Sequence, residues 1–382
     1  MPGFVDTHLH APQYSYTGTA LDVPLLEWLN KYTFPQESRF SDTTHARDVY
    51  TKCVKRLLAS GTTCAAYYAT LHVEASKVLV DVMRKYGQRG WVGKVCMDWN
   101  SPSYYCESSE EAIEGTRELI QWARQGDDGG LVEPCVTPRF APSCHMDTLK
   151  ALGKLANDMD VAVQSHLSEN VDEIKWVTEV LFPDVNKVEG EHEDMSATYT
   201  DVYAHAGLLT KRTVMAHCIH LSAYERALIR TRETGVSHCP TSNFGLRSGV
   251  LNVRQLLREG IKVGLGTDIG GGYATSMLEV IRAAAVASRI IQMGSEDHIF
   301  LSLTELFFLA TLGGAQVMGL ESKIGSFVVG KQFDALLVDV QASGTIDLFD
   351  GIDDWMGVVE KFVFLGDDRS IAHVWVNGKL VK

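Results

Sequence analysis

The chain contains no C-x-x-C pair, no low-complexity segment, and no apolar run approaching the ~20 residues of a membrane span. Its eight cysteines are Cys53, Cys64, Cys96, Cys106, Cys135, Cys144, Cys218 and Cys239, scattered through 382 residues. A chain of that length needs no disulfide framework, so reduced thiols are expected. Cys64, Cys96 and Cys218 fall in apolar, strand-like runs, where a buried free thiol is the ordinary state. The opening Met1-Pro2-Gly3-Phe4-Val5-Asp6 lacks a basic region followed by an apolar stretch, so no export signal is read and a cytoplasmic location is expected. Basic charge is also short. Against 48 acidic side chains stand 35 Lys and Arg, a net charge of −13. That argues against DNA, RNA or an acidic membrane surface as partner, and favours a small, uncharged ligand.

What is present describes a large packed core. Hydrophobic residues make up 45% and charged residues 22%, as in a globular protein. Short apolar runs alternate with helical patterns, the signature of repeated βα units and a parallel sheet. Eight strands are predicted: Gly3–His8, Thr62–Tyr68, Trp91–Met97, Leu131–Thr137, Val161–His166, Thr213–His217, Val236–Cys239 and Ile261–Gly266. Helices are predicted over Ala46–Ser60, Val73–Tyr86, Ser109–Arg124, Asp147–Asp158 and Ala223–Thr234, with Gly61, Gly87 and Gly235 as stops. The fold class is therefore α/β, a TIM-type (β/α)₈ barrel over residues 1–318. Residues 319–382 read as a small β appendage, with strands at Gly325–Phe327 and Phe333–Val338 and a hairpin over Ala372–Val381 turning at Asn377-Gly378. The acidic, aperiodic stretch Asp184–Thr200 reads as a surface excursion, its His192 a solvated loop residue.

Chemistry concentrates where barrel strands end, because the C-terminal face of such a barrel carries the reactive side chains. His8 and His10 close the first strand, His166 the fifth and His217 the sixth, and Asp268 follows the eighth. Residues two apart on a strand face the same side, so His8 and His10 can present two imidazoles to one ion. A lone H-x-H is weak, since each histidine by itself is more simply a core or loop residue. The joint placement of all five is what points to a metal. Imidazoles with one carboxylate suit zinc or iron better than magnesium or calcium. A two-metal barrel needs a bridging lysine after the fourth strand. That region reads Val136-Thr137-Pro138-Arg139-Phe140, so one zinc per chain is expected. Glu169, three residues past His166, is alone a carboxylate favoured at a helix start. Beside a metal ligand it becomes a candidate proton carrier, a role worth roughly 10²–10⁴-fold in rate.

Three runs carry a resemblance: Pro2-Gly3-Phe4-Val5-Asp6-Thr7-His8-Leu9-His10, Ser165-His166-Leu167-Ser168-Glu169-Asn170 and Gly264-Leu265-Gly266-Thr267-Asp268. They resemble the amidohydrolase superfamily, in its zinc-dependent aminohydrolase branch. The segment Ala11–Phe34, with Pro12-Gln13-Tyr14 and Leu25-Leu26-Glu27-Trp28-Leu29, is similar to the guanine deaminase family, as are Thr137-Pro138-Arg139-Phe140 and His238-Cys239-Pro240-Thr241-Ser242-Asn243. The resemblance implies zinc held by His8, His10, His166 and Asp268, with Glu169, His217 and Asp268 as catalytic groups. It implies a purine pocket formed by Gln13, Arg139 and Phe140 beside His10, His166, Glu169, His217 and Asp268, and a homodimer. Arginine only donates hydrogen bonds, so Arg139 suits the O6 and N7 side of guanine and opposes the amine of adenine. Its partner is expected to be the substrate, so Arg139→Ala is expected to harm turnover far more than folding.

The family's β-sandwich draws on residues ahead of the H-x-H strand. Here the barrel strand comes first, so an incomplete sandwich and a less stable chain are expected. Competing readings are an aminohydrolase acting on cytosine, an adenosine-like thioether or a triazine, and a catalytically silent scaffold. Gln13 and Arg139 weigh against the first, and the full ligand set with Glu169 against the second. The cytidine-deaminase fold needs P-C-x-x-C, and Pro134-Cys135 lacks the second cysteine.

Overall fold

Strands β1 (Phe4–His10), β2 (Thr62–Tyr68), β3 (Arg89–Gly93), β4 (Val95–Cys96), β5 (Val132–Pro138), β6 (Ala162–Leu167), β7 (Thr213–His217), β8 (Gly235–His238) and β9 (Val263–Leu265) form one parallel sheet. This computed structural model describes residues 1–126, 128–185, 197–294 and 300–382. Most of the acidic stretch Asp184–Thr200, His192 included, lies outside the described residues. The strand order is β1-β2-β3-β5-β6-β7-β8-β9, with β4 continuing β3 and pairing β5, so eight positions surround the core. The first and last positions meet through side chains and one main-chain bond. Asp268 N–H donates to His8 O at 2.9 Å, and the buried Asp6 carboxylate accepts from Thr267 N–H at 3.0 Å and Thr267 Oγ1 at 2.6 Å. The strands are buried on both faces in nearly unbroken runs rather than in alternation, as a helix-covered parallel sheet requires.

The helices match the periodicity closely where it is strong. Val73–Tyr86 and Ser109–Arg124 have the predicted bounds, the first stopped by Gly87 at φ +73° and the second opened by a Ser108–Glu111 capping box. Gly235 is a correction. It opens β8 rather than closing a helix, and its lack of a side chain serves packing, since a Cβ there would stand 2.9 Å from Val317 Cγ1. Long helical stretches at Met277–Met293 and Leu303–Val317 follow β9, and the second packs beneath the barrel. Ala315, Val317, Met318, Leu320 and Ile324 form one buried cluster with Val5, Cys64, Trp91 and Val214 from the early parts of the strands.

The tail holds a three-stranded antiparallel sheet, β10 (Ala335–Val338), β11 (Ile371–Val376) and β12 (Lys379–Leu380). Asn377 and Gly378 both take positive φ, the turn that matches strand twist in a two-residue hairpin. Gly325–Phe327 is not a strand. Gly325, at φ +87°, turns against the backbone of Leu312, too close for any side chain. A helix, Trp355–Leu365, stands where no element was predicted, capped by Asp354. Residues 1–3 lie along the sheet edge, with Met1 and Leu336 exchanging main-chain bonds of 2.8 and 2.9 Å. A buried Arg89–Asp334 pair, at 3.0 Å, ties this sheet to β3. All eight cysteines are free, and all but Cys106 are buried. Among the described residues no helix is long and apolar enough to cross a membrane.

Candidate functional site

His8 and His10 leave β1 on one side of the strand, and both rings are buried, with centroids 5.1 Å apart. His166, near the end of β6, is oriented by its own neighbour strand. Its Nδ1 lies 2.6 Å from the Arg139 carbonyl, which can only accept, so Nδ1 carries the proton and Nε2 is left with a lone pair. That Nε2 is 3.1 Å from His10 Nε2. Asp268 Oδ1 stands 3.2 Å from His8 Nε2 and 3.6 Å from His10 Nε2. His217 closes the ring, with Nε2 3.4 Å from Glu169 Oε2 and 3.8 Å from Asp268 Oδ2.

Three of these positions are reached through unusual backbone. Ser168, His217 and Asp268 have φ of +49°, +68° and +46°, a left-handed conformation that costs non-glycine residues roughly 1–3 kcal/mol each. Clustering at the ends of β6, β7 and β9, these bends turn the strand ends so that their side chains converge.

Burial governs the charges. It pushes His8 down, and His10 and His166 well below the usual imidazole range, the latter two helped by their neighbours, so these rings are neutral. Burial opposes ionisation of Asp268, yet His8 above all, with His217 and His10, holds its carboxyl well below the ordinary value. Glu169 differs. Burial, and then the charge of Asp268, push it up to about 8. Two carboxyls that share His217 Nε2 as a neighbour are thus separated in proton affinity, the pattern of an acid–base pair.

The donor set fits a metal ion. His8, His10 and His166 offer ring nitrogens within 4.8 Å of one another, and so do His8 and His217 with a carboxylate oxygen of Asp268. His8 Nε2 and His217 Nε2 have no hydrogen-bond partner in the protein although fully enclosed. Two nitrogens sharing one tetrahedral ion at ~2.0–2.1 Å would stand roughly 3.3 Å apart, close to the His10–His166 separation.

The pocket beside this cluster is lined by Gln13, Leu25, Trp28, Leu29, Arg139, Phe140 and Leu246 as well as by the site groups. Its lining mixes apolar side chains with a few polar ones, the make-up of a small-molecule site. Every predicted site residue is therefore brought together. One expectation needs correcting: the Arg139 guanidinium is buried and bound in a fork to Glu37, Nη1 to Oε2 at 2.6 Å and Nη2 to Oε1 at 3.2 Å. Its partner includes the protein, not the substrate alone.

Sequence reasoning missed Glu37, Asn243 and Ser248. Asn243 Oδ1 lies 2.9 Å from His217 Nδ1 and sets that ring's plane, and Ser248 Oγ donates to Glu169 Oε1 at 3.3 Å. Asn243 stands in a run already singled out. Glu37 lies 24 residues from Gln13 and 102 from Arg139, and no spacing could have joined them.

The model of the amidohydrolase family matches residues 1–381. A guanine deaminase of Dictyostelium discoideum is 48% identical over 385 residues, covering all of this chain and 82% of that protein. The chain belongs to the guanine deaminase family of amidohydrolases. The family's architecture is shared throughout. The crystal structure of guanine deaminase from C. acetobutylicum, with guanine bound in the active site, superposes with a TM-score of 0.91 at 39% identity, over all of this chain and 86% of that one. An adenosine deaminase from Xanthomonas campestris with bound zinc reaches a TM-score of 0.84 at 26% identity, over all of this chain and 79% of that one.

Proposed function

We propose that this chain hydrolyses guanine to xanthine and ammonia, using one zinc ion held by His8, His10, His166 and Asp268. The observation that carries the reading is a pocket lined by His10, His166 and Asp268 together with Arg139 and Gln13, with His8 clustered against the same ligand atoms. The relatives add weight, one of them binding guanine and another zinc. A zinc ion bound there would supply Lewis acidity, lowering the pKa of a water from ~15.7 towards ~7.

The chain's own groups do the rest. Glu169 Oε2 takes a proton from water and returns it to the ring nitrogen beside the carbon that bears the amine. Asp268 accepts the second proton and passes it to the amine, which can then leave as ammonia, and His217, between these carboxyls, supports the oxygen as charge builds on it. Loss of ammonia then leaves a carbonyl where the amine stood. Arg139, with only donors to offer, meets the oxygen and nitrogen edge of guanine, and Phe140, Trp28 and Leu246 pack around the base and exclude water.

The homodimer implied by the family resemblance, and the expected cytoplasmic location, belong to this same reading. An ultraviolet assay on guanine, adenine and cytosine, with elemental analysis of the same preparation, tests it. Turnover of guanine alone, at about one zinc per chain, is the expected result. Preference for another base, or two metals per chain, would overturn it.

A further inference from the structure

Glu37 does not line the pocket, yet it touches both polar side chains assigned to base recognition, Gln13 and Arg139. It is fully buried at the end of the short helix Phe34–Glu37. Oε1 accepts from Gln13 Nε2 at 2.8 Å and from Arg139 Nη2 at 3.2 Å, while Oε2 accepts from Arg139 Nη1 at 2.6 Å and from Tyr105 OH at 2.8 Å. Four donors on two oxygens occupy the carboxylate fully, so it has nothing left to offer a ligand.

Two consequences follow from the chemistry of the partners. A carboxylate can only accept, so the Gln13 amide must turn its NH₂ towards Glu37. Its Oε1 then points away, buried and without a protein partner. Gly270 packs closely against this oxygen, since a Cβ there would stand 1.9 Å from Gln13 Oε1. Arg139 spends one N–H of each terminal nitrogen on Glu37, and the fork fixes the guanidinium plane from which the remaining N–H groups extend.

We propose that Glu37 is the positioning residue for selectivity. It sets the amide of Gln13 as acceptor and the plane of Arg139 as donor, and so fixes the demand for a base with an N–H beside a carbonyl. The proposal rests on the functional reading above. Glu37→Gln places an NH₂ among donors, which drives Gln13 to flip or Arg139 to swing, either of which breaks the acceptor–donor pair.

The test is calorimetric binding of two purines to zinc-loaded protein. Hypoxanthine carries the 6-oxygen and its adjacent N–H, and 2-aminopurine carries neither. In Glu37→Gln, hypoxanthine is expected to bind at least tenfold more weakly, with 2-aminopurine within threefold and zinc content unchanged. Glu37→Asp retains the charge that neutralises Arg139, and it serves where the glutamine variant does not fold. Its shorter reach is expected to weaken hypoxanthine at least fivefold by the same selective pattern. Equal weakening of both purines, or wild-type affinity for hypoxanthine in the folded variant, overturns the proposal. Wild-type turnover of guanine, measured on the same preparation, tests the functional reading separately.

Discussion

Glu169 and Arg139 show how one residue can carry chemistry and another can carry both recognition and structure. Glu169→Gln keeps the shape of the side chain and removes its ability to accept a proton. Turnover should fall roughly 10²–10⁴-fold, with zinc content unchanged by elemental analysis. Loss of metal together with activity would make Glu169 a ligand instead. Arg139→Ala is a different experiment from the one its sequence context suggests. The guanidinium and the Glu37 carboxylate are both buried, so removing one strands the other, at about 3–5 kcal/mol. Chemical denaturation should therefore show a marked loss of stability alongside the loss of guanine turnover. An unchanged midpoint would mean that Glu37 finds other compensation.

At the scale of elements, the loop after β9 is the most constrained piece of the site. Asp268 takes a left-handed conformation, Gly270 lies at φ +113°, and Gly272 N–H turns back to the Asp268 carbonyl. Gly270→Ala combines a backbone conformation costly to alanine with a direct clash against Gln13. It should lower affinity for guanine more than it lowers the thermal midpoint, because the side chain displaced belongs to the pocket. Equal KM values for variant and wild type would show that Gln13 has room to move. Elements legible in the sequence were those with a strong local period, such as Val73–Tyr86 and Ser109–Arg124. Trp355–Leu365 was missed because its apolar residues do not sort onto one face, and Gly325–Phe327 was misread because three residues carry no period at all.

For the whole molecule, the candidate metal ligands come from the first and last barrel strands, β1 and β9, as well as β6, so metal binding and folding should be coupled. Chelation should abolish turnover and lower the thermal midpoint, and one equivalent of zinc should restore both. A ligand at ~1,000 times its Kd adds about 4 kcal/mol to a folded state. Recovery needing two equivalents would contradict the single site. The small C-terminal sheet is joined to the barrel by the Arg89–Asp334 pair, with Asp334 also accepting from Asn377 N–H at 2.7 Å. Arg89→Ala should cost about 3–5 kcal/mol by denaturant titration, with little change in KM because neither partner lines the pocket. A matching rise in KM would reveal coupling between the sheet and the site.

Sequence alone determined where the eight positions of the barrel fall along the chain and which donors stand at their ends. Apolar runs and helical periods are local properties, and a two-residue spacing on a strand already places His8 and His10 on one side. Only the tertiary structure decided which protein group holds Arg139 and Gln13, and how the barrel meets itself between β9 and β1. Those contacts join residues 102 positions apart, and in the case of Asp6 and Thr267 261 apart. No period or spacing encodes them. They exist because charged and polar groups buried together must satisfy one another, and the fold chooses which ones are buried together.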